Sequence, residues 1–403
     1  MEIELPVDWE LRRFSEIVSE NKKSQLKVSD ASNFGPYKFY TSGENILQHH
    51  KFLVEGENVF LATGGVANVK YDDNKVAYST DTYSLKVKDN SSAKLLYYHL
   101  LNDLWYINYN YFEGSGLKHL QKKELRKHLL PYPNDYQEQQ KIAEILTKMD
   151  DAIANTQAMI DKYENIKKGL MQDLLTKGID ENGNIRSEET HKFKDSPLGR
   201  IPVEWELSSI ADLGNWKGGK TPSKSQPRYW EKGSVLWFSS KDITEDTLSN
   251  SFYKISRNAV IETNQTIFPA HKSLIFVFRS GILRHTFPIA KSKSDFTVNQ
   301  DIKVLLPRNK IKTDFLFFLF KNLESIILKS YVKAGTTVES IDGKAFFKID
   351  VGIPDEIEQQ RIIDVISTVY ENINNKKLEL EKLKIKKIGL MQDLLSGKVR
   401  VPN

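Results

Sequence analysis

The sequence contains one heptapeptide twice, Gly-Leu-Met-Gln-Asp-Leu-Leu at residues 169–175 and again at residues 389–395. Each copy begins 31 residues after a Glu-Gln-Gln segment, which opens at Glu138 in the first half and at Glu358 in the second. A letter-for-letter repeat at a fixed spacing indicates that one structural element occurs twice. The fold should therefore have an internal pseudo-two-fold repeat.

The repeated segments have the spacing of coiled-coil helices. Apolar residues recur in alternating steps of four and three, which is the seam of a coiled coil rather than the wider stripe of a helix on a globular core. We predict that coiled-coil formation and assembly depend on Ile142, Leu146, Met149, Ile153, Ile160, Leu170, Leu174, Ile362, Ile366, Val369, Ile373, Leu380, Leu383, Leu390 and Leu394. The two helices most simply form an antiparallel coiled coil with each other, although pairing with another subunit would produce the same pattern.

The helices divide a chain of 403 residues, which is long enough for two domains and their connectors. Short apolar segments at 58–62 and 274–278 favour strands, and the segment 315–327 favours a buried helix, so the predicted fold class is α+β. The predicted regions are a globular domain at 1–135, a central helix at 136–178, a polar linker at 179–196, a second globular domain at 197–355 and a C-terminal helix at 356–403.

Composition excludes several classes of protein. The sequence has no run of 18 uncharged apolar residues and no basic start followed by an apolar run, which favours a soluble, cytoplasmic protein. Its lack of cysteine excludes disulfides, cysteine nucleophiles and thiolate metal sites. The eight histidines show no paired ligand spacing, so we predict no metal site.

Charge is distributed unevenly between the two globular regions. Residues 1–135 carry 17 basic and 18 acidic side chains, whereas residues 197–355 carry 23 basic and 16 acidic ones. The second region thus has an excess of seven positive charges. Such an excess favours a polyanionic partner, most simply nucleic acid.

One segment matches a phosphate-binding loop in letters only. Residues 214–221 read Gly-Asn-Trp-Lys-Gly-Gly-Lys-Thr, but such a loop needs a helix that begins at the Lys-Thr pair. Pro222 follows directly and predicts a loop instead. The glycine-rich and Asn/Asp-Pro-Pro-aromatic segments of an amino-methyltransferase are also missing. We therefore predict no catalytic residues. A nucleotide-hydrolysing enzyme based on this segment is kept only as a further hypothesis, behind the two described below.

These motifs together resemble the specificity subunit of a type I restriction-modification system. The resemblance covers the whole chain. It depends on the Glu-Gln-Gln-(Lys/Arg)-Ile helix openings, the repeated heptapeptide, the Pro-x-x-Trp-Glu segments at 6–10 and 202–206, and Gly-Gly-Lys-Thr-Pro-Ser at 218–223. It implies two target recognition domains, each reading one half of a bipartite site in double-stranded DNA. The helices would then set the spacer between the two halves.

The resemblance also implies partners. Two modification (methyltransferase) subunits would dock on this chain and use S-adenosylmethionine, and a restriction/translocase subunit would use ATP and magnesium. This chain would then be a non-catalytic subunit without a cofactor of its own. The alternative is a coiled-coil scaffold or adaptor whose variable domains bind proteins.

Candidate DNA-binding residues are those in polar loops that interrupt apolar strands. Lys, Arg, Ser and Thr suit phosphates, while Asn, Gln, Arg and Lys suit base edges. In the first domain they are Tyr40, Thr41, Ser42, Thr63, Ser79, Thr80, Asp81, Ser115, Lys118 and His119. In the second they are Lys220, Thr221, Ser223, Lys224, Ser239, Lys241, Arg279, Arg284, Asn299, Gln300, Lys333, Thr336 and Thr337. Because the two domains should read different sequences, segments that both share are expected to be structural.

Overall fold

A computed structural model describes residues 5–88, 90–335 and 338–401 of the chain. The chain divides into two compact units. Unit 1 comprises Met1–Ile160 and Lys376–Asn403, and unit 2 comprises Asp161–Asn375. Both contain helices and short strands, so the predicted α+β class is confirmed. Among the described residues, no helix is long and apolar enough to cross a lipid bilayer.

Unit 1 is built on a four-stranded and a three-stranded sheet, with two further two-stranded pairs. Its strands are β1 (Trp9–Arg13), β2 (Val18–Glu20), β3 (Tyr37–Tyr40), β4 (Leu47–His49), β5 (Asn58–Ala62), β6 (Val69–Asp72), β7 (Val76–Tyr78), β8 (Thr82–Val87), β9 (Phe112–Glu113), β10 (His119–Leu120) and β11 (Leu129–Pro133). Its helices are α1 (Phe14–Ile17), α2 (Ala93–Asn102), α3 (Leu104–Asn110), α4 (Lys122–Leu125) and the start of α5 (Tyr136–Leu174). The main sheet has the order β2-β8-β5-β6 and is antiparallel; the second has the order β4-β3-β7, with β3 and β7 parallel.

Strand β5 is the centre of unit 1, because all five of its residues are buried. Successive side chains of a strand point to opposite faces. Phe60 faces the second sheet, where its ring stacks on Tyr40 with centroids 4.6 Å apart. Val59 and Leu61 belong instead to the cluster that contains α2 and the long helices. The strand predicted at 58–62 is confirmed.

Unit 2 repeats this plan with additional strands. Its strands are β12 (Phe193–Ser196), β13 (Gly199–Pro202), β14 (Glu206–Ser209), β15 (Gly214–Gly218), β16 (Val235–Phe238), β17 (Thr247–Leu248), β18 (Tyr253–Ile255), β19 (Leu274–Val277), β20 (Ile289–Ser292), β21 (Phe296–Val298), β22 (Ile302–Pro307), β23 (Val332–Lys333), β24 (Ser340–Ile341) and β25 (Asp350–Ile353). Its helices are α6 (Arg257–Glu262), α7 (Thr313–Tyr331), α8 (Gly343–Phe346) and the start of α9 (Glu356–Leu395). The main sheet has the order β15-β22-β19-β20-β17, and the second has the order β18-β16-β21.

Strand β19 has the central role in unit 2 that β5 has in unit 1. Its residues are all buried. Phe276 faces α7 and lies edge-on to Phe320, with ring centroids 4.8 Å apart, whereas Ile275 and Val277 pack against the second sheet. The strand and buried helix predicted here are both confirmed.

The phosphate-loop pattern is part of a sheet. Residues 214–218 form β15, which pairs with β22 in antiparallel register. At Gly219, an added Cβ would lie only 1.7 Å from the carbonyl oxygen of Val298, so glycine allows the close approach of two backbones. The loop after it continues to a 3-10 turn at Pro227–Tyr229 rather than to a helix beginning at the Lys-Thr pair. The geometry gives no support to the nucleotide-hydrolysing hypothesis.

The two long helices pack side by side within each unit. In unit 1, Ile142 and Leu146 near the start of α5 share a cluster with Leu394 near the end of α9. In unit 2, Leu174 at the end of α5 shares a cluster with Ile362 near the start of α9. Start meets end in both units, so the packing is antiparallel. All fifteen predicted seam residues are buried or half-buried.

Candidate nucleic-acid interface

In unit 1, four loop segments converge at the ends of β3, β5 and β7. We define loop cluster 1 as residues 41–43, 63–65, 79–81 and 118–119. Backbone hydrogen bonds join these segments: Thr63 N donates to Asp81 O over 3.1 Å, Ser79 N to Tyr40 O over 2.9 Å and Gly65 N to Lys118 O over 2.9 Å. The strands therefore bring together loops that lie far apart in the sequence.

Unit 2 builds the same arrangement at the ends of β16, β19 and β21. We define loop cluster 2 as residues 239–241, 278–280, 299–301 and 339–340. Phe278 N donates to Asp301 O over 2.9 Å, Asn299 N to Phe238 O over 2.9 Å and Ser280 N to Glu339 O over 3.0 Å. These three bonds correspond one to one with those of loop cluster 1. The internal repeat thus extends to the backbone of the candidate interface, where the sequence similarity is weak.

Half-buried groups hold loop cluster 1 rigid. The ammonium of Lys70 donates to the Thr41 carbonyl over 3.1 Å and to Asn68 Oδ1 over 2.8 Å. Burial lowers the pKa of Lys70 below its usual value, because a desolvated ammonium is disfavoured. The hydroxyls of Ser42 and Thr63 both donate to the Asp81 carbonyl. The backbone of loop cluster 1 is therefore held by hydrogen bonds from its own hydroxyl groups and from Lys70.

Side chains also fix loop cluster 2. Asp242 Oδ2 accepts from the backbone and the hydroxyl of Ser239 over 2.8 and 2.7 Å. Asp301 N donates to Asn299 Oδ1 over 3.0 Å. Thr221 Oγ1 donates to Gln300 Oε1 over 2.5 Å, and this contact brings the loop after β15 to the cluster. Five stretches of unit 2, the four of loop cluster 2 and the loop after β15, thus contribute to one surface.

Four of the predicted DNA-binding residues lie in the interior, namely Tyr40, Thr41, Ser79 and Asn299, with exposures of 1, 5, 0 and 6%. We correct the prediction that these four side chains contact DNA directly, because the rest of the protein covers them. The phenol of Tyr40 donates to Asp72 Oδ2 over 2.6 Å, which also raises the pKa of the phenol after the larger effect of burial. These residues support the loops from below.

The other described candidates are exposed or half-buried. Those that lie in or next to the clusters are Ser42, Thr63, Thr80, Asp81, Lys118, His119, Lys220, Thr221, Ser239, Lys241, Arg279, Arg284 and Gln300. Four lie elsewhere: Ser115 is at the turn before β10, Ser223 and Lys224 follow β15, and Lys333, in strand β23, pairs with Asp342 over 2.6 Å. Thr336 and Thr337 lie outside the described residues.

Sequence reasoning missed two residues of this interface. Lys70 carried no signal, because it is a single basic residue in a strand. Glu339 is acidic, and the sequence criteria for phosphate and base-edge contacts favour basic, hydroxyl and amide side chains. Glu339 is 9% exposed and accepts a hydrogen bond from Arg284. Only the fold places this carboxylate beside the arginine, 55 residues earlier in the chain.

The repeated Glu-Gln-Gln motif holds each unit to its long helix. In unit 1, Glu138 Oε2 accepts from Trp9 Nε1 over 3.2 Å and from Arg400 over 2.9 Å. Arg400 also bonds to Asp8 over 2.6 and 2.7 Å, and this hydrogen bond lowers the pKa of the Asp8 carboxyl. The next residue, Gln139, accepts from Ser92 N over 2.9 Å. The N-terminal segment, the C-terminal segment and α5 therefore meet at one carboxylate.

Unit 2 has the equivalent junction at Glu358. Its Oε2 accepts from Trp205 Nε1 over 3.2 Å, and both carboxylate oxygens bind the guanidinium of Arg186. The same Oε1 accepts from Ile179 N over 2.9 Å. Gln359 accepts from Lys312 N over 2.8 Å, as Gln139 does from Ser92. In each unit, the tryptophan of the Pro-x-x-Trp-Glu motif thus donates a hydrogen bond to the glutamate of the Glu-Gln-Gln motif.

Comparison with known proteins gives one family. The family model described as "Type I restriction modification DNA specificity domain" matches residues 6–165 and again residues 202–384. The chain is 31% identical over 217 residues to the EcoR124I/EcoR124II specificity subunit of Escherichia coli, which is 54% of this chain and 51% of that protein. It is 24% identical to the MjaVIII specificity subunit of Methanocaldococcus jannaschii, over 100% of this chain and 95% of that one.

Solved structures share the fold. An S subunit of a type I restriction-modification system from M. genitalium superposes with a TM-score of 0.65 at 15% identity, covering 98% of this chain and 97% of that one. A structure described as addressing complex assembly and conformational transition of the type I R-M system gives a TM-score of 0.57 at 14% identity, covering 98% and 100%. At these identities the likeness concerns the arrangement of the chain alone.

Proposed function

Since the chain belongs to the type I restriction-modification DNA specificity family, we propose that it is the non-catalytic DNA-reading subunit of such an enzyme. Each globular domain reads one half of a bipartite site in duplex DNA. One observation carries this proposal: the two loop clusters share a backbone hydrogen-bond frame but present different side chains. A shared frame with different contacts is what two readers of different half-sites require.

The chemistry of the loops fits a duplex. Loop cluster 2 exposes Arg279, Gln300 and Lys241, and the adjoining 3-10 turn exposes Arg284. Arginine and lysine suit guanine, glutamine suits adenine, and all the cationic groups suit phosphates. The excess of positive charge at 197–355 attracts the DNA before contact, and so speeds association. The adaptor alternative receives no support from the family match.

The partners follow from the family. Two modification subunits bind this chain and methylate adenine with S-adenosylmethionine, and a restriction/translocase subunit uses ATP and magnesium. The test is to express the full chain with a modification subunit of its own system and to map methylated bases by long-read sequencing. We expect one methylated motif with two specified halves around an unspecified spacer. Methylation without a sequence motif, or none at all, would contradict the proposal.

DNA binding also separates the proposal from the adaptor alternative. We expect the assembly of this chain with its modification subunit to bind a 40-base-pair duplex with an affinity that falls steeply with salt, because each neutralised phosphate releases a counterion. The matched control is the modification subunit alone. Binding that does not change between 50 and 200 mM salt would favour an adaptor.

The helices act as the spacer. Helices of 39 and 40 residues extend about 60 Å at 1.5 Å per residue. Inserting one heptad into each helix keeps both seams in register and lengthens each by about 10 Å, or roughly three base pairs. We expect the methylated motif of this variant to keep both half-sites and to gain spacer. A change in the half-site bases would contradict the spacer role.

A further inference from the structure

Within that proposed function, we propose that Arg284 reads one guanine in the half-site of unit 2 and that Glu339 is the positioning residue that aims it. The inference rests on the proposed function and goes beyond it by assigning a base to a side chain. It concerns one ion pair between Glu339 of loop cluster 2 and Arg284 of the adjoining 3-10 turn, in which the two partners differ sharply in exposure. The side chain of Arg284 is 63% exposed, whereas that of Glu339 is 12% exposed.

The contact between the two side chains leaves the end of the arginine available. Arg284 Nε donates to Glu339 Oε1, and among the described residues Arg284 forms no other side-chain hydrogen bond. The two terminal amino groups of the guanidinium, Nη1 and Nη2, therefore have four unused N–H donors. A guanidinium held at Nε is a planar fork that can bond to two acceptors at once.

Glu339 is itself fixed from behind. Its carbonyl accepts from Ser280 N over 3.0 Å, and Ser280 caps the 3-10 turn Gly281–Arg284 that carries the arginine. Its Oε2 is buried and has no hydrogen-bond partner within the described part of the chain. Leaving this buried carboxylate without its cation is costly, which favours the orientation of Arg284 that keeps the pair. In agreement, the hydrogen bond from Arg284 lowers the pKa of Glu339.

The equivalent position in unit 1 has different chemistry. Gly65 N donates to Lys118 O as Ser280 N donates to Glu339 O, so Lys118 occupies the place of Glu339. The segment after Gly65 reads Val-Ala-Asn-Val and contains no arginine. The backbone frame is the same and the charge is reversed. The two units therefore share the backbone hydrogen bonds at this place and differ in the side chains. Such a difference is expected where the two domains read different bases.

Guanine is the base that fits the fork. In the major groove, guanine presents O6 and N7 as two neighbouring acceptors, and bidentate arginine is the commonest specific contact to it. Adenine offers one acceptor and one donor there, so a fork of donors leaves one group unpaired. A phosphate is the other acceptor that suits this fork, and it would carry no sequence information.

The first experiment maps the methylated motif of the full chain with its modification subunit, and then repeats this with Arg284→Ala and Arg284→Lys. We expect both variants to accept other bases at one guanine position in the half read by unit 2, while the other half stays unchanged. The matched control is Arg308→Ala, an arginine of the same unit that pairs with Glu206 on the surface over 2.8 Å; its motif should not change. If the wild type gives no motif, the proposed function fails rather than this inference.

The second experiment measures binding of the same assembly to a duplex that carries the mapped motif, with 7-deazaguanine replacing one guanine at a time. For the wild type, we expect one position in this half-site to lose roughly 5- to 10-fold in affinity, the lower end of the range of a bidentate contact, because 7-deazaguanine lacks N7 but keeps O6. Arg284→Ala should show no further loss at that position. Glu339→Ala should weaken discrimination there, and Glu339→Gln should partly restore it, because the amide oxygen can still accept from Nε.

Two results would overturn the inference. If Arg284→Ala weakens binding equally for all sequences and lowers the salt dependence by about one phosphate, the arginine binds the backbone. If all variants keep the wild-type motif and affinity, the pair only stabilises the loop. Thermal melting of each variant excludes loss of folding as the reason for altered specificity.

Discussion

Replacing Arg186 with methionine should show how much the buried ion pair with Glu358 stabilises unit 2. The side chains of Arg186 and Glu358 are 11% and 6% exposed, so this pair is shielded from water. Methionine keeps most of the volume of the arginine stem but removes the charge. The Glu358 carboxylate then keeps Ile179 N and Trp205 Nε1 as donors but loses its cation.

The size of the effect follows from this burial. Removing one partner of a buried ion pair costs about 3–5 kcal/mol, because the remaining charge is uncompensated. Two neutral donors remain on Glu358, so we expect the lower end, about 3 kcal/mol. Arg400→Met is the matched comparison at the equivalent junction of unit 1. Arg400 is 41% exposed although its partner Glu138 is only 3% exposed, so water can replace part of the arginine; its removal should cost less than that of Arg186, about 1–2 kcal/mol.

Hydrogen exchange of the Ile179 amide reports directly on this junction, because that N–H is bonded to Glu358. A loss of about 3 kcal/mol in the opening free energy should speed exchange of this amide roughly 150-fold. Exchange in the segment 136–142 of unit 1 should stay unchanged in Arg186→Met. A change below fivefold at Ile179, or an equally large effect of Arg400→Met on unit 1, would refute the argument from burial.

Two further predictions concern unit 1. Burial lowers the pKa of His99 to about 4, against about 6.5 in the unfolded chain. The folded protein holds His99 neutral, so the free energy of unfolding is highest above pH 6.5 and declines as the pH falls towards 4, where the unfolded chain gains a proton that the folded one does not. Between pH 6.5 and 4, the free energy of urea unfolding of His99→Phe should therefore fall by about 3 kcal/mol less than that of the wild type. Equal losses would contradict the lowered pKa of His99. Phe60→Ala should destabilise unit 1 by about 3–5 kcal/mol in the same assay, because a fully buried ring is removed, and a loss below about 1 kcal/mol would show that the core collapses around it.

The helices and central strands could be predicted because local patterns determine them. The alternating four-three spacing gave both long helices, and the apolar segments gave β5 and β19. These elements depend on residues that are close in sequence, so periodicity is sufficient.

The candidate interface could be predicted only in part. Polar residues at strand ends were found, since loops follow strands, but their burial could not be. Tyr40 and Ser42 are two residues apart, yet one is buried and the other half-buried. Contacts across many residues, such as Arg284 with Glu339 and Arg186 with Glu358, leave no trace in spacing. They follow from the register of strands and helices, which only the fold supplies.

The division of the chain has a consequence for its synthesis. Unit 2 is one continuous segment, whereas unit 1 needs residues 376–403. Met391, Leu394 and Leu395 complete the core that includes Ile142 and Leu146, so these surfaces stay uncovered while more than two hundred intervening residues are translated. At about 5–20 residues per second this interval is roughly 10 to 50 s. Unit 1 thus begins to leave the ribosome before unit 2 and is completed after it, with this apolar surface exposed in between.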